Sequence, residues 1–268
     1  MNTLCRELYT KIEKENATYE EEIHSDGCDR SHARRGAGRR RHDTKSATNT
    51  FTTGKVSITL NEKNADGTPF TQGQKLLPGS QTKNNIAKRV TITNNTGSQE
   101  AYVWLEELIP AALDSTDGST GTNNIIHINT PGSTWDKYRE NSRYWAEGQK
   151  EALPLEQTWD LDPEEELASH LGPEGFAGQE TIDGVVYNRY IKLYHGKLAA
   201  GEETTLGMSQ VYMDSKVDTN DQGQYTINGN VINYDFSNGV NIIVRAYAIQ
   251  ADGFADVYAA YKGYNGIK

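Results

Sequence analysis

Histidine is the residue type here that could most readily bind a catalytic metal ion. A zinc protease of the common helical type places two histidines one helical turn apart, with a glutamate between them. No pair among the six has this spacing, and no nucleophile elbow or phosphate loop is present. The sequence therefore favours a protein that is not an enzyme and needs no cofactor. The histidines are His24, His32, His42, His127, His170 and His195.

Two of these histidines, His127 and His195, lie in segments with the pattern of β-strands. A histidine in such a segment is more often a partly buried structural residue than a ligand, and we predict that role for both. The alternative is a cluster of His127, His170 and His195 with a carboxylate in the folded protein. Such a cluster would hold a metal ion.

An acidic stretch offers a second candidate metal site. Asp218, Asn220 and Asp221 are spaced like the start of a calcium loop. An EF-hand loop, however, needs a bidentate glutamate at its twelfth position, and Gly229 stands there. The stretch is therefore a weak calcium candidate, and the alternative interpretation is an ordinary polar turn.

Charge divides the chain into two unlike parts. Residues 1–42 hold 9 Lys/Arg and 8 Asp/Glu, so the rest of the chain carries −11 of a total net charge of −10. An acidic body of this kind argues against binding to a phosphate backbone, and we expect no nucleic-acid partner. Both cysteines, Cys5 and Cys28, also lie in the first part, so residues 43–268 need no disulfide.

Residues 1–42 form an atypical N-terminal segment with an Arg/Gly-rich run at 34–41. One interpretation is a disordered tail, and another is an arm that binds nucleic acid or a surface. A third hypothesis is a frame-shifted signal peptide. Signal peptides are rich in residues such as Ala, Gly and Leu, and GC-rich codons for these residues encode Arg and Gly when they are translated in another frame. The nucleotide sequence would test it by showing whether another frame encodes a basic start and an apolar stretch.

From residue 56 onward the sequence predicts one all-β domain, 56–268. Short segments alternate apolar and polar residues, and Gly, Asn and Asp turn signals separate them about every ten residues. Ala101–Ile109 is apolar enough for a strand buried on both faces. Asp183-Gly184 and Asn228-Gly229 predict two-residue hairpin turns. This pattern is typical of an antiparallel, jelly-roll-like β-sandwich.

Residues 134–180 interrupt the strand pattern and carry helix-start signals, which predicts a helical or loop insertion. Thr134 is a candidate helix N-cap, and Pro163 precedes three glutamates as at a second helix start. Near the C-terminus, Phe254–Tyr261 has apolar residues at helical spacing. Aromatic residues in the insertion predict either a binding patch or a seal onto the core: Trp135, Tyr138 and Trp145.

Four stretches together resemble the TasA/camelysin family of proteins processed by a SipW-type signal peptidase. They occur in the family's order and cover about 43–268, apart from the insertion, whereas residues 1–42 depart from the family pattern. The stretches are Asp43–Leu60, Lys88–Val103, Leu198–Thr205 and Arg245–Phe254.

The resemblance implies an exported bacterial protein with a jelly-roll fold, found outside the cell or on its surface and not membrane-bound when mature. Fibre-forming members assemble head to tail, with the N-terminal strand of one subunit completing a sheet of the next. Here that donor segment lies within 43–55, with Ala47 and Phe51 as candidate anchors. Its core residues are Thr44, Lys45, Ser46, Ala47, Thr48, Asn49, Thr50 and Phe51.

The resemblance therefore predicts a structural subunit of an extracellular fibre or biofilm matrix. Its main partner would be another copy of the chain, with other matrix proteins or polysaccharide as further partners. Three alternatives remain open: a frayed leader in place of the donor segment, a monomeric surface adhesin or binding module on the same fold, and a camelysin-like metalloprotease. Fold does not fix function, so these alternatives need separate tests.

Overall fold

The computed structural model describes residues 55–114, 124–132, 153–167 and 169–267, all within the compact unit Phe51–Lys268. Two α-helices are described, α1 (Glu164–Leu167) and α2 (Val257–Asn265). The described strands are β1 (Ile58–Lys63), β2 (Pro78–Gly79), β3 (Ile86–Asn94), β4 (Ala101–Pro110), β5 (Ile126–Asn129), β6 (Trp159–Asp160), β7 (Phe176–Ile182), β8 (Val185–Tyr194), β9 (Met208–Asp214), β10 (Val217–Thr219), β11 (Tyr225–Ile227), β12 (Asn230–Val231) and β13 (Ile243–Gln250).

The strands form two main sheets and a small one. In the first sheet the order is β1–β3–β9, with β2 and β5 also paired to β9. In the second the order is β13–β4–β8, with β6 and β7 also paired to β8. Every pairing in these two sheets is antiparallel except that of β2 with β9. The third sheet is the antiparallel ribbon β10–β11–β12.

The chain crosses repeatedly between the two main sheets. Strand β3 leads into β4 of the other sheet, β4 leads back to β5, β8 leads to β9, and β13 returns to the second sheet. The inner faces of both sheets contribute to one core, for example Val90 and Ile92 of β3 and Val103 and Leu105 of β4. The predicted all-β, jelly-roll-like sandwich is therefore confirmed.

Strand β4 is the central strand of the second sheet, and all ten of its residues are buried. Its inner side chains join the core between the sheets, while Tyr102 and Trp104 face outward into a second apolar cluster. Helix α2 covers that outer cluster with Val257 and Tyr261. The prediction of a strand buried on both faces is confirmed, and the helix at the C-terminus is the element that buries the second face.

Local sequence signals explain several boundaries. Asp183 and Gly184 both have positive φ angles (50° and 81°), as do Asn228 and Gly229 (49° and 79°), so both predicted hairpin turns are confirmed. At the start of α2 the Asp256 carboxylate accepts a hydrogen bond from the Ala259 N–H at 2.8 Å. This cap starts the helix at Val257, three residues later than the start of the apolar pattern.

The predicted insertion is shorter than its expected range. Residues 153–175 contain two single-turn 3₁₀ helices, α1 and the short strand β6, but β7 already begins at Phe176. Phe176 belongs to the sheet because it pairs with Tyr190 of β8 and packs against its ring. The proposed helix at Thr134 and the aromatic residues Trp135, Tyr138 and Trp145 lie outside the described residues.

No described helix has the length and apolar character needed to cross a membrane.

A charged pair lies inside the core. Lys192 of β8 and Glu107 of β4 form an ion pair in which both side chains are 0% exposed. The Lys192 ammonium also donates to the carbonyl oxygen of Gly207 at 2.6 Å and to Thr130 Oγ1 at 3.2 Å. Removing charges from water is costly, and these additional hydrogen bonds offset part of that cost.

Truncation of one partner should therefore be far more harmful than replacement of both. We expect Lys192→Ala to lower the free energy of unfolding by about 3–5 kcal/mol, since it leaves the Glu107 charge buried without this cation. The matched control, Lys192→Met with Glu107→Leu, should keep the stability of the parent, because Thr130 Oγ1 can still donate to the Gly207 carbonyl. Urea denaturation followed by tryptophan fluorescence measures both. Equal losses in the two variants would contradict this account.

Candidate functional site

Strands β1 and β13, which belong to different sheets, lie next to each other but do not pair with each other. Strand β1 pairs with β3 and contacts β13, while β13 pairs with β4. Pro69 and Phe70 bridge to the end of β1, where the Phe70 N–H donates to the Glu62 carbonyl at 3.0 Å. Among the described residues, no strand pairs with the other edge of β13 or with that of Ile58–Asn61. We call the space between these two edges the seam.

The core is less well covered at the seam than elsewhere. Val90 and Ile92 of β3 and Val103 and Leu105 of β4 are all 0% exposed. The core-facing residues at the seam are only partly buried, and two of them on β13 are small. These residues are Ile58, Leu60, Val244, Ala246 and Ala248. In the eight-residue strand β13 every second residue turns its N–H and C=O away from β4, and such an edge beside a half-covered apolar core is a surface to which another strand can be added.

A cavity of about 380 Å³ lies at one end of the seam, where β1 ends and β13 begins. We call it the seam-end cavity, and its lining includes Glu62, Lys88, Ile242, Val244 and Tyr187. It shares Lys88 and Ile242 with a neighbouring cavity of about 410 Å³. Because Glu62 and Val244 line the same space, β1 and β13 run in opposite directions along the seam.

Lys88 is fixed at the wall shared by these two cavities. Its ammonium lies 2.5 Å from Glu62 Oε1 and 4.5 Å from the centre of the Phe70 ring. These contacts hold a long side chain in one place although its body is almost fully buried. The seam-end cavity is therefore lined by both apolar and charged groups. The apolar side chains are those of Ile242 and Val244, and the Lys88 ammonium is paired with the Glu62 carboxylate.

The outer face of β13 is held to the sheet by an ionic network. Arg245 donates to Glu180 of β7 at 2.8 and 2.9 Å and to Glu106 of β4 at 3.1 Å. Arg189 of β8 also binds Glu106, and the Tyr247 hydroxyl donates to Glu106 at 2.9 Å. These contacts link β13, β4, β8 and β7, so β13 is firmly fixed on one side while its other edge stays open.

The ionic network shifts the pKa values of the groups that form it. The hydrogen bond from Arg245 lowers the pKa of Glu180, although burial opposes this effect. The hydrogen bond to Glu180 raises the pKa of Arg245, again against burial. Burial, followed by the nearby Glu106 charge, raises the pKa of Tyr247 to about 12. All three shifts favour the charged network with a neutral tyrosine at neutral pH.

The predicted donor residues, Thr44–Phe51, lie outside the described residues. Of the predicted calcium residues, Asp218 lies in β10, and Asn220 and Asp221 lie in the turn before β11, where Asn220 Oδ1 accepts from the N–H groups of Gln222 and Gln224. Asp218 Oδ1 accepts from the Thr219 N–H, and both Asp218 and Asp221 are exposed. The structure thus places these three residues at the end of β10 and in the polar turn that follows it, with the Asp218 and Asn220 side chains capping backbone N–H groups.

The three body histidines have separate surroundings. His127 Nε2 lies 3.0 Å from Asp214, and its ring stacks on Tyr212. His195 contacts the Thr158 hydroxyl at 3.0 Å and the Tyr258 hydroxyl at 3.2 Å. His170 is exposed. Within the described ranges, no group of three or more His, Cys, Asp or Glu residues is placed to hold a metal ion.

Sequence reasoning missed both the seam and the network behind it. One available signal was the adjacent pair Glu106-Glu107 inside the apolar segment Val103–Ile109. Successive strand residues point to opposite faces, so two carboxylates in a strand buried on both sides require a cationic partner on each side. The partners themselves, Arg245 and Lys192, are more than 80 residues away and could not be assigned from spacing.

Comparison with known proteins adds no assignment. The sequence matches no protein-family model, and no curated protein matches it significantly.

The lowered pKa of Glu180 predicts a loss of stability in acid. A depressed folded-state pKa stabilises the protein above the unfolded value, here 4.5, and this contribution is lost as the pH falls through the folded value. We expect Glu180→Gln to be less stable than the parent at neutral pH and to lose less stability between pH 5 and about pH 3. Urea denaturation across this range measures the difference. Parallel pH profiles for the two proteins would contradict the assigned role of the Glu180–Arg245 contact.

Proposed function

We propose that this protein is a secreted structural subunit of extracellular fibres or a biofilm matrix, of the TasA/camelysin type. In this proposal each subunit binds a second copy of the chain, and the segment Thr44–Phe51 of one copy adds to the open edge of the next. The observation that carries the proposal is the eight-residue edge of β13, which has no paired strand among the described residues.

Three properties of the seam support strand addition there. The donor segment and β13 are each eight residues long, so the two segments match in length. Main-chain hydrogen bonds would satisfy the free groups of β13, and inward side chains would cover Val244, Ala246 and Ala248. The ionic network holds β13 in place, so the acceptor edge itself loses little conformational entropy when the donor binds.

The contact joins different surfaces on the two partners, a donor segment and an acceptor edge. Such heterologous contacts do not close on themselves unless a rotation brings them round into a ring, so they propagate into filaments. The acidic body, with −11 charge outside residues 1–42, keeps subunits soluble and disfavours non-specific lateral contact. Other matrix proteins or polysaccharide would then bind the finished fibre.

Removal of the donor segment tests the proposal. We expect residues 44–268 to form filaments in negative-stain electron microscopy after concentration, and residues 55–268 to remain monodisperse. The shorter chain keeps Lys55, whose carbonyl accepts from the Gln99 N–H, so the start of the sandwich is preserved. Filaments from both chains would show that assembly does not use Thr44–Phe51. Monodisperse particles from both would support the monomeric binding module instead.

A single substitution within the donor gives a matched control. Thr48→Pro removes one backbone N–H and should prevent filaments in residues 44–268, since proline cannot donate to a ladder. Thr48→Ala keeps that N–H and should assemble like the parent. Equal assembly of the proline and alanine variants would contradict backbone pairing by the donor.

A further inference from the structure

The seam-end cavity has a mixed lining, with Gln72, Asp183 and Asn241 on its polar side and an apolar wall that a large apolar side chain would cover. Ile242, Val244, Ile182 and Val185 supply apolar lining, and the nearby Lys88 charge is neutralised by Glu62. The donor segment has one large apolar residue, Phe51, and its other members are Ala, Lys or small polar residues. Phe51 is therefore the member of the donor whose burial there would contribute most to binding.

The Phe51 of the same chain cannot reach this cavity. The carbonyls of Lys55 and Ser57 accept from Gln99 and Asn95, so the chain continues β1 away from the cavity. Seven extended residues separate Lys55 from Glu62, a distance of about 23 Å. Phe51 precedes Lys55 by four residues, which span at most about 14 Å even without the reversal needed to turn back.

The position of Phe51 in a second copy also fixes the direction of the bound strand. Val244 lies at the start of β13, so a donor that ends at the cavity with Phe51 must run antiparallel to β13. Antiparallel pairs exchange well-aligned backbone hydrogen bonds. If the same strand folded back within its own chain, residue 51 would instead lie near Lys55, and the segment would run parallel to β13.

The alternation of side chains then gives the register. Residues directly opposite each other share a face, and the inner face of β13 carries Val244, Ala246 and Ala248. With Phe51 opposite Val244, Asn49 faces Ala246 and Ala47 faces Ala248. A shift by one residue would turn both candidate anchors, Ala47 and Phe51, away from the core.

We propose that Phe51 of one subunit fills the seam-end cavity of the next, with the donor antiparallel to β13 and Ala47 opposite Ala248. This inference rests on the proposed function. It adds an anchor residue, a direction and a register to it. Phe51 is a specificity-determining residue of the contact, because a register slip removes it from the cavity.

A disulfide between subunits tests the register. In the full chain with Cys5 and Cys28 replaced by serine, Ala47→Cys combined with Ala248→Cys places two thiols on directly opposite residues. Mild oxidation should give a ladder of covalent oligomers on a non-reducing gel, and reduction should collapse it. The matched control, Thr48→Cys with Ala248→Cys, points one thiol to the other face and should give no ladder.

The outcomes separate this inference from the proposed function. Filaments of the parent chain without a ladder, or with equal ladders in both variants, would overturn the register and leave strand exchange standing. An internal disulfide in a monomer would show that the segment folds back on its own chain. Absence of both filaments and ladder would overturn the proposed function as well.

The anchor is tested separately in the full chain. Phe51→Ala should raise the concentration needed for half-maximal assembly about tenfold or more, since the burial of one phenylalanine is lost. Phe51→Leu should lose much less, and Asp43→Ala, outside the paired segment, should have no effect. Equal assembly by Phe51→Ala and the parent would overturn the role of the cavity.

Discussion

The two adjacent carboxylates of β4 hold the second sheet together from both sides. Glu107 points into the core and pairs with Lys192 of β8, while Glu106 points outward and binds Arg189 and Arg245. Both glutamates are almost fully buried, so neither can exchange its partner for water without a large cost. This arrangement fixes β13 to β4 and thereby determines where the sandwich remains open.

The unpaired edge of β13 at the seam follows from how a β-sandwich buries its core. Each sheet must end in edge strands, and natural proteins usually protect such edges with charge, bulges or a covering segment. The outward face of β13 carries the charge of Arg245, but its inward face exposes Val244, Ala246 and Ala248 in part. An edge of this kind is an aggregation hazard unless a defined partner fills it, and we propose that a second copy does so.

Strong local signals made much of the fold predictable. The hairpin turns at Asp183-Gly184 and Asn228-Gly229 and the burial of β4 depend on a few neighbouring residues, and the sequence predicts them directly. The pairing of Lys192 with Glu107 and of Arg245 with Glu180 depends on strand order across long separations, which spacing cannot reveal. The predicted insertion extends to residue 180, whereas β7 begins at Phe176, whose place in the sheet depends on its pairing with Tyr190 of the following strand. The donor segment stays a prediction, because Thr44–Phe51 lie outside the described residues.

Hydrogen–deuterium exchange along β13 tests strand addition at this edge, because it measures the protection of the backbone amides that the donor would pair with. The full chain would be compared as monomer and after concentration into assemblies. If a donor strand pairs with β13, the amides of Ile243–Gln250 that do not pair with β4 exchange rapidly in the monomer and become protected in the assembly. Unchanged exchange along β13 in assembled material would contradict strand addition at this edge.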